Sequence, residues 1–224
     1  MKRWSVSALV LVLVVFAWQR ELVSFATQDG GIVYADVYGA GDHGVVLAHG
    51  GRFTKESWTE QAQQVAAAGF RVVAIDFRGR GKSRGGPQAK SGDEYFDVLA
   101  AVRYLHETGA TEVSVVGASF GGGATAQAAV ESSPGEIDRI VLVAHSSIDQ
   151  PELMQSRKLF ITARNDTTGS GALRLRAIRD QFERAPGPKD LVILEGSAHA
   201  QYLFQTDKGP RLLREIIGFL SEPY

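Results

Sequence analysis

The chain has 224 residues, 44% of them hydrophobic and 22% charged, and its formal net charge at pH 7 is -1. A length of this order buries a sizeable core within one domain, and the even mixture of signs excludes the basic face that nucleic-acid binding needs. Cysteine is absent, which rules out disulfides, thiolate metal sites, a thiol nucleophile and a lipid anchor on cysteine.

At the N-terminus, Lys2 and Arg3 precede an apolar run over residues 4–18 that only Ser5 and Ser7 interrupt. The run suits the core of a secretory signal and is short for a bilayer span of about 20 residues. Ala17 and Ala26 offer small residues for cleavage, but neither completes an A-x-A pattern. Residues 1–20 therefore read as a signal peptide or an uncleaved signal anchor. Both readings make the protein extracytoplasmic, and an anchor would associate it with a membrane through residues 4–18. A buried core helix fits less well, because no polar face breaks residues 8–18.

Residues 21–224 read as one domain without a linker, repeat or low-complexity stretch. Two β-rich runs, 21–27 and 32–38, flank the turn signal Gln28-Asp29-Gly30-Gly31 and predict an antiparallel hairpin. The short apolar run 45–48 predicts a buried central strand. Helical spacing of Trp58, Ala62, Val65 and Ala66 predicts a helix over 57–68 that Gly69 closes. A strand is expected at 71–77, a helix at 94–107, a strand at 113–116 ending at Gly117, and a small-residue helix reaching Val130. Strands at 140–144, 159–163 and 191–194 and helices at 171–184 and 210–220 complete the pattern. Strands alternating with helices imply a three-layer α/β/α sandwich around a mostly parallel sheet.

The most informative stretch is Gly117-Ala118-Ser119-Phe120-Gly121, a G-x-S-x-G pattern between an apolar strand and a small-residue helix. Such a turn presents a serine at the end of a sheet, and the flanking glycines let strand and helix approach closely. Serine is a weak nucleophile until a base takes its proton. Asp166 follows the expected strand 159–163 and His199 follows 191–194, and loops at the carboxyl ends of parallel strands converge. The order Ser, Asp, His makes His199 the candidate base and Asp166 its orienting acid, with Asp149 as the rival acid. Oxyanion donors are expected from the amide of Phe120, which follows the serine, and from Gly51 in His49-Gly50-Gly51-Arg52, with Arg52 next in line.

Four further histidines have other readings: His43 and His106 are expected at the surface, His49 under the oxyanion loop, and His145 lining the pocket. Asp76-Phe77-Arg78-Gly79-Arg80-Gly81-Lys82-Ser83 ends like a phosphate-binding loop. However, the first glycine of that motif would fall at position 76, which is Asp, and no helix follows. The segment is therefore expected to be structural, with Asp76 and Arg78 making local hydrogen bonds.

Through the elbow, the His-Gly-Gly loop and the D-x-R-G-x-G-x-S segment, residues 21–224 resemble the α/β-hydrolase family, in particular its compact dienelactone-hydrolase-like and serine-aminopeptidase-like members. The resemblance implies eight strands with the second antiparallel, and serine hydrolysis of an ester, thioester or amide without metal or cofactor. Two departures stand out: the dienelactone hydrolases use a cysteine that this chain lacks, and residues 145–158 leave little or no room for a cap. Ser119 also argues against the branches that attack with aspartate. The reading is a carboxylesterase acting on a small-molecule ester, with an amidase or aminopeptidase as alternative. A membrane-anchored binding protein with a disused triad is the alternative of another class. Substrate and oligomeric state stay open.

Overall fold

The structure is a computed structural model that describes residues 20–223. Of the segment expected to be a signal peptide or signal anchor, residues 1–20, all but residue 20 lies outside the described residues, and no helix among the described residues is long and apolar enough to cross a membrane.

Eight strands form one sheet: β1 (Glu21–Ala26), β2 (Ile32–Tyr38), β3 (His43–Ala48), β4 (Arg71–Ile75), β5 (Glu112–Ala118), β6 (Arg139–Val143), β7 (Arg157–Ala163) and β8 (Lys189–Leu194). Their order across the sheet is β1-β2-β4-β3-β5-β6-β7-β8. β2 runs antiparallel to both of its neighbours and every other pairing beyond it is parallel, so the hairpin reverses a single strand. The central strands are buried along nearly their whole length, as a sheet covered on both faces requires. Helices α1 (Thr59–Ala67), α2 (Tyr95–Glu107), α3 (Phe120–Glu131), α4 (Arg174–Arg184) and α5 (Gly209–Ser221) provide that cover.

The boundaries depart from the sequence expectation for identifiable reasons. β5 continues through Gly117 and Ala118, because both still pair with Leu142 and Val143 of β6. β4 ends at Ile75 rather than 77: the Asp76 amide still donates to Tyr34 O at 2.9 Å, but the next amide, that of Phe77, turns to His49 Nε2 at 3.3 Å, while the Asp76 carboxylate accepts from the amide of Lys55 at 2.9 Å. β6, β7 and β8 start earlier than their apolar runs, since Arg139, Lys158 and Lys189 extend them. α4 begins only at Arg174, after a bridge between Thr167 and Leu173. Between β6 and β7 there is only a single 3-10 turn, Pro151–Leu153, so no cap covers the carboxyl ends of the strands from this connection.

Two expectations about polar residues are corrected. The contacts of Asp76 and Arg78 are not local. Arg78 donates to Asp97 Oδ1 from Nη2 at 2.8 Å and to Asp29 Oδ2 from Nη1 at 2.7 Å, tying the loop after β4 to α2 and to the β1–β2 turn. Burial raises the Asp97 pKa, opposed by its hydrogen bonds from Arg78. His43 and His106 are half-buried rather than surface residues: His43 Nε2 bonds Ser114 Oγ at 2.8 Å, and His106 meets the carbonyls of Ala110 and Glu136 at 3.2 and 3.0 Å.

Candidate active site

The elbow is a backbone feature first. Ser119 sits at φ 51° and ψ -115°, a conformation that costs a non-glycine residue on the order of 1–3 kcal/mol and persists only where surrounding contacts enforce it. Those contacts are specific. Ser119 N donates to Val143 O at 2.9 Å, and its carbonyl accepts from Gly123 N and Ser146 N, both at 3.0 Å. Glycine is required on both sides: a Cβ at Gly117 would stand 2.3 Å from Thr125 Oγ1, and one at Gly121 would stand 2.4 Å from Ala48 O.

The loops after β7 and β8 are stitched together by Arg164 N to Leu194 O at 2.8 Å and Asn165 N to Gly196 O at 2.9 Å. This brings Asp166 and His199, distant in sequence, to the same spot. His199 Nδ1 lies 2.6 Å from Asp166 Oδ2, and His199 Nε2 lies 2.8 Å from Ser119 Oγ. A carboxylate only accepts, so Nδ1 carries the proton and Nε2 is left to accept from the serine hydroxyl. Asp166 is 1% exposed, and Arg174 approaches its second oxygen at 3.5 Å while donating its own amide to the Asp166 carbonyl at 2.9 Å. Asp149, the rival acid, is exposed; its carbonyl accepts from Arg184, and Asp166 holds the place beside His199.

Beside the serine, a Cβ placed on Gly51 would be 3.5 Å from Phe120 Cβ, so the two expected oxyanion donors are neighbours. Among the described residues the amides of Gly51 and Phe120 donate to no other group, and Phe120 opens α3. Free amides at a helix start favour an anion there. The His-Gly-Gly loop is held from below by His49, which is fully buried: its Nε2 accepts from Phe77 N at 3.3 Å, which assigns the proton to Nδ1, donating to Gly50 O at 2.8 Å. Burial lowers the His49 pKa and favours this neutral form.

Gln201 was not anticipated from the sequence. It is 5% exposed, accepts from Gly50 N at 2.6 Å and donates to Ser57 Oγ at 2.8 Å. It thereby fastens the loop that bears His199 to the loop that bears Gly51. Its proximity in sequence to His199 was the only available signal. His145 is buried beneath the site, edge-on to Phe160 with ring centroids 5.4 Å apart, and burial drives its pKa down to about 4. It borders one of two open clefts that flank the turn at Ser146 and Ser147. One cleft, of about 590 Å³, has Leu173, Arg174 and Ile178 on its wall, and the other, of about 500 Å³, has Tyr95, Phe120 and Gln127. The His199 side chain remains 27% exposed. Among the described residues no group of three His, Asp or Glu side chains is disposed to hold a metal ion.

The Alpha/beta hydrolase family profile matches residues 45–223. The chain belongs to this family. It is similar to the non-heme chloroperoxidase of Streptomyces lividans, 32% identical over 120 residues, which cover 53% of this chain and 42% of that protein. It is also similar to the bifunctional esterase/perhydrolase of Acinetobacter calcoaceticus, 33% identical over 120 residues, again 53% of this chain and 42% of that protein. The matched part is thus less than half the length of these relatives. Among solved structures, the esterase Pf2001 of Pyrococcus furiosus superposes with a TM-score of 0.72 at 17% identity, covering 91% of this chain and 92% of that one. The α/β hydrolase GrgF of Penicillium sp. sh18 gives 0.76 at 17% identity, covering 90% and 98%. Likeness at such identities establishes the fold alone, and function is a matter for the site.

Proposed function

We propose that the protein is a serine hydrolase that cleaves a carboxylic ester or thioester of a small or medium substrate through an acyl-enzyme. The observation that carries this reading is the unbroken hydrogen-bond chain Asp166–His199–Ser119, with steps of 2.6 and 2.8 Å. In the first half-reaction His199 Nε2 takes the Ser119 proton as Oγ attacks the carbonyl carbon, and Asp166 stabilises the imidazolium. The developing oxyanion is met by the amides of Phe120 and Gly51, and His199 returns its proton to the departing alcohol or thiol. Water, activated by the same imidazole, then releases the acid. No step requires a metal or cofactor.

Both clefts beside Ser119 open to solvent, which suits substrates that need no enclosing lid. The arrangement Lys2, Arg3 and the apolar run 4–18 supports a location outside the cytoplasm, either anchored by that run or released after cleavage. The test is turnover of a panel of p-nitrophenyl esters, acyl thioesters and peptide amides by the wild type and by Ser119→Ala. The reading expects ester or thioester turnover that Ser119→Ala abolishes while circular dichroism is unchanged. Peptide amides as the best substrates would favour an amidase. A folded wild type that turns over none of the panel would favour a binding protein with a disused triad.

A further inference from the structure

At the opposite end of the sheet from Ser119, a cavity of about 650 Å³ opens where β6 and β7 begin, bordered by Leu153, Met154, Pro186 and Pro188 and by Arg139, Arg157 and Lys158. Its size is that of a small-molecule site, and its walls are mainly apolar. The cations are not equivalent. Arg139 is engaged by Glu112 and by the Glu222 carbonyl, and Arg157 by the carboxylates of Glu222 and Asp190. Lys158 is 1% exposed, and its ammonium donates to Ser156 O at 2.6 Å. Ser156 and Lys158 both border the cavity, and the ammonium is held against the carbonyl of Ser156, one of the lining residues. Among the described residues no carboxylate forms an ion pair with it. Glu152, the acidic residue on the rim, is committed to Arg184 at 2.9 Å. Lys189, the residue opposite Lys158 on β8, donates to the carbonyls of Phe182, Glu183 and Ala185 at the end of α4.

A buried ammonium is costly without a counter-charge. Among the described residues the ammonium makes one hydrogen bond, to Ser156 O, beside an apolar hollow large enough for a chain of methylenes. The geometry points to a binding site for an amphipathic carboxylate, its headgroup on Lys158 Nζ and its hydrocarbon against Leu153, Met154, Pro186 and Pro188. The inference is independent of the reaction assigned to Ser119. Burial and the neighbouring Lys189 bring the Lys158 pKa down to about 8, so the charge that recruits the anion is present at neutral pH and fades above it. The other charged groups at the cavity, Arg139, Arg157 and Glu152, are each held in an ion pair of their own.

The probe is decanoate, with decanol as the uncharged control, and binding is followed by isothermal titration calorimetry on the full chain. Because the cleft at Ser119 could also hold decanoate, the variants alter only the distal cavity. Lys158→Met keeps length and apolar packing, and Leu153→Glu places a negative charge at the half-exposed mouth. The expected result is saturable binding of decanoate at pH 7 that weakens at least tenfold in both variants and between pH 7 and pH 9. Decanol is expected to bind at least tenfold more weakly. Decanoate affinity unchanged in Lys158→Met, or decanol binding equally well, would overturn the assignment. If Lys158→Met fails to fold, Leu153→Glu decides alone, and unchanged affinity there has the same meaning.

Discussion

Alanine at Gly121 gives a prediction whose sign separates the packed elbow from ordinary helix propensity. Gly121 lies in the first turn of α3, and by propensity alone Gly→Ala in a helix stabilises by about 1 kcal/mol. In this fold the new Cβ would stand 2.4 Å from Ala48 O and 2.5 Å from His49 O, where ordinary contact begins at 3.4 Å. Strand end and helix must therefore separate by about 1 Å, and both obstacles are backbone. Overpacking of this kind costs about 1–3 kcal/mol, and the absence of a yielding side chain puts Gly121→Ala near 3 kcal/mol, or roughly 6–12 °C in Tm for a domain of this size. The matched control is Gly218→Ala in α5, where a Cβ meets nothing within 4 Å and a gain of about 0.5–1 kcal/mol is expected. Thermal denaturation by circular dichroism reads both. Since the displaced carbonyls, that of Ala48 at the end of β3 and that of His49, lead directly into Gly50 and Gly51, ester turnover by the folded Gly121→Ala protein should also fall, by about a hundredfold for a 1 Å misplacement. A Gly121→Ala protein as stable and active as wild type would refute the close approach of strand, elbow and oxyanion loop.

Further outcomes follow from the charges around the site. Asp166→Asn keeps shape but offers an amide that need not hold Nδ1 protonated, and kcat on p-nitrophenyl acetate should fall about 10³–10⁴-fold without loss of fold; a drop under tenfold would remove Asp166 from the triad. His145, with its folded pKa near 4 against 6.5 ordinarily, binds less proton than the unfolded chain between those values. Stability should accordingly fall by about 3 kcal/mol as pH drops from 6.5 to 4. His145→Phe, which preserves a ring against Phe160, should flatten that part of a urea-denaturation pH profile, whereas an unchanged profile would exclude His145 as its source.

The fold and the meeting of Ser119, Asp166 and His199 in one hydrogen-bond chain were legible because each is written in local chemistry. The elbow needs glycines on both sides of Ser119, and the apolar strands 45–48, 140–144 and 159–163 announce a covered sheet whose carboxyl ends collect Asp166 and His199. What escaped was long-range. Arg78 resembles a loop residue until its partners Asp29 and Asp97 are brought to it by folding. Gln201 resembles any polar residue until the loop after β8 lies against the His-Gly-Gly loop. Lys158 and Arg139 hid the first residues of their strands, because charge usually marks an end and here is carried inside. His43 and His106 read as surface residues since nothing in sequence names the hydroxyl and carbonyls that satisfy them.

The central claim is that His199 makes Ser119 nucleophilic. The most direct measurement is stoichiometric labelling with a fluorophosphonate, followed by peptide mapping in the mass spectrometer. The account predicts one phosphonyl group per chain, on Ser119, with labelling lost in Ser119→Ala and slowed at least a hundredfold in His199→Ala. A folded wild-type protein that takes up no label, or takes it up on another serine, would contradict it.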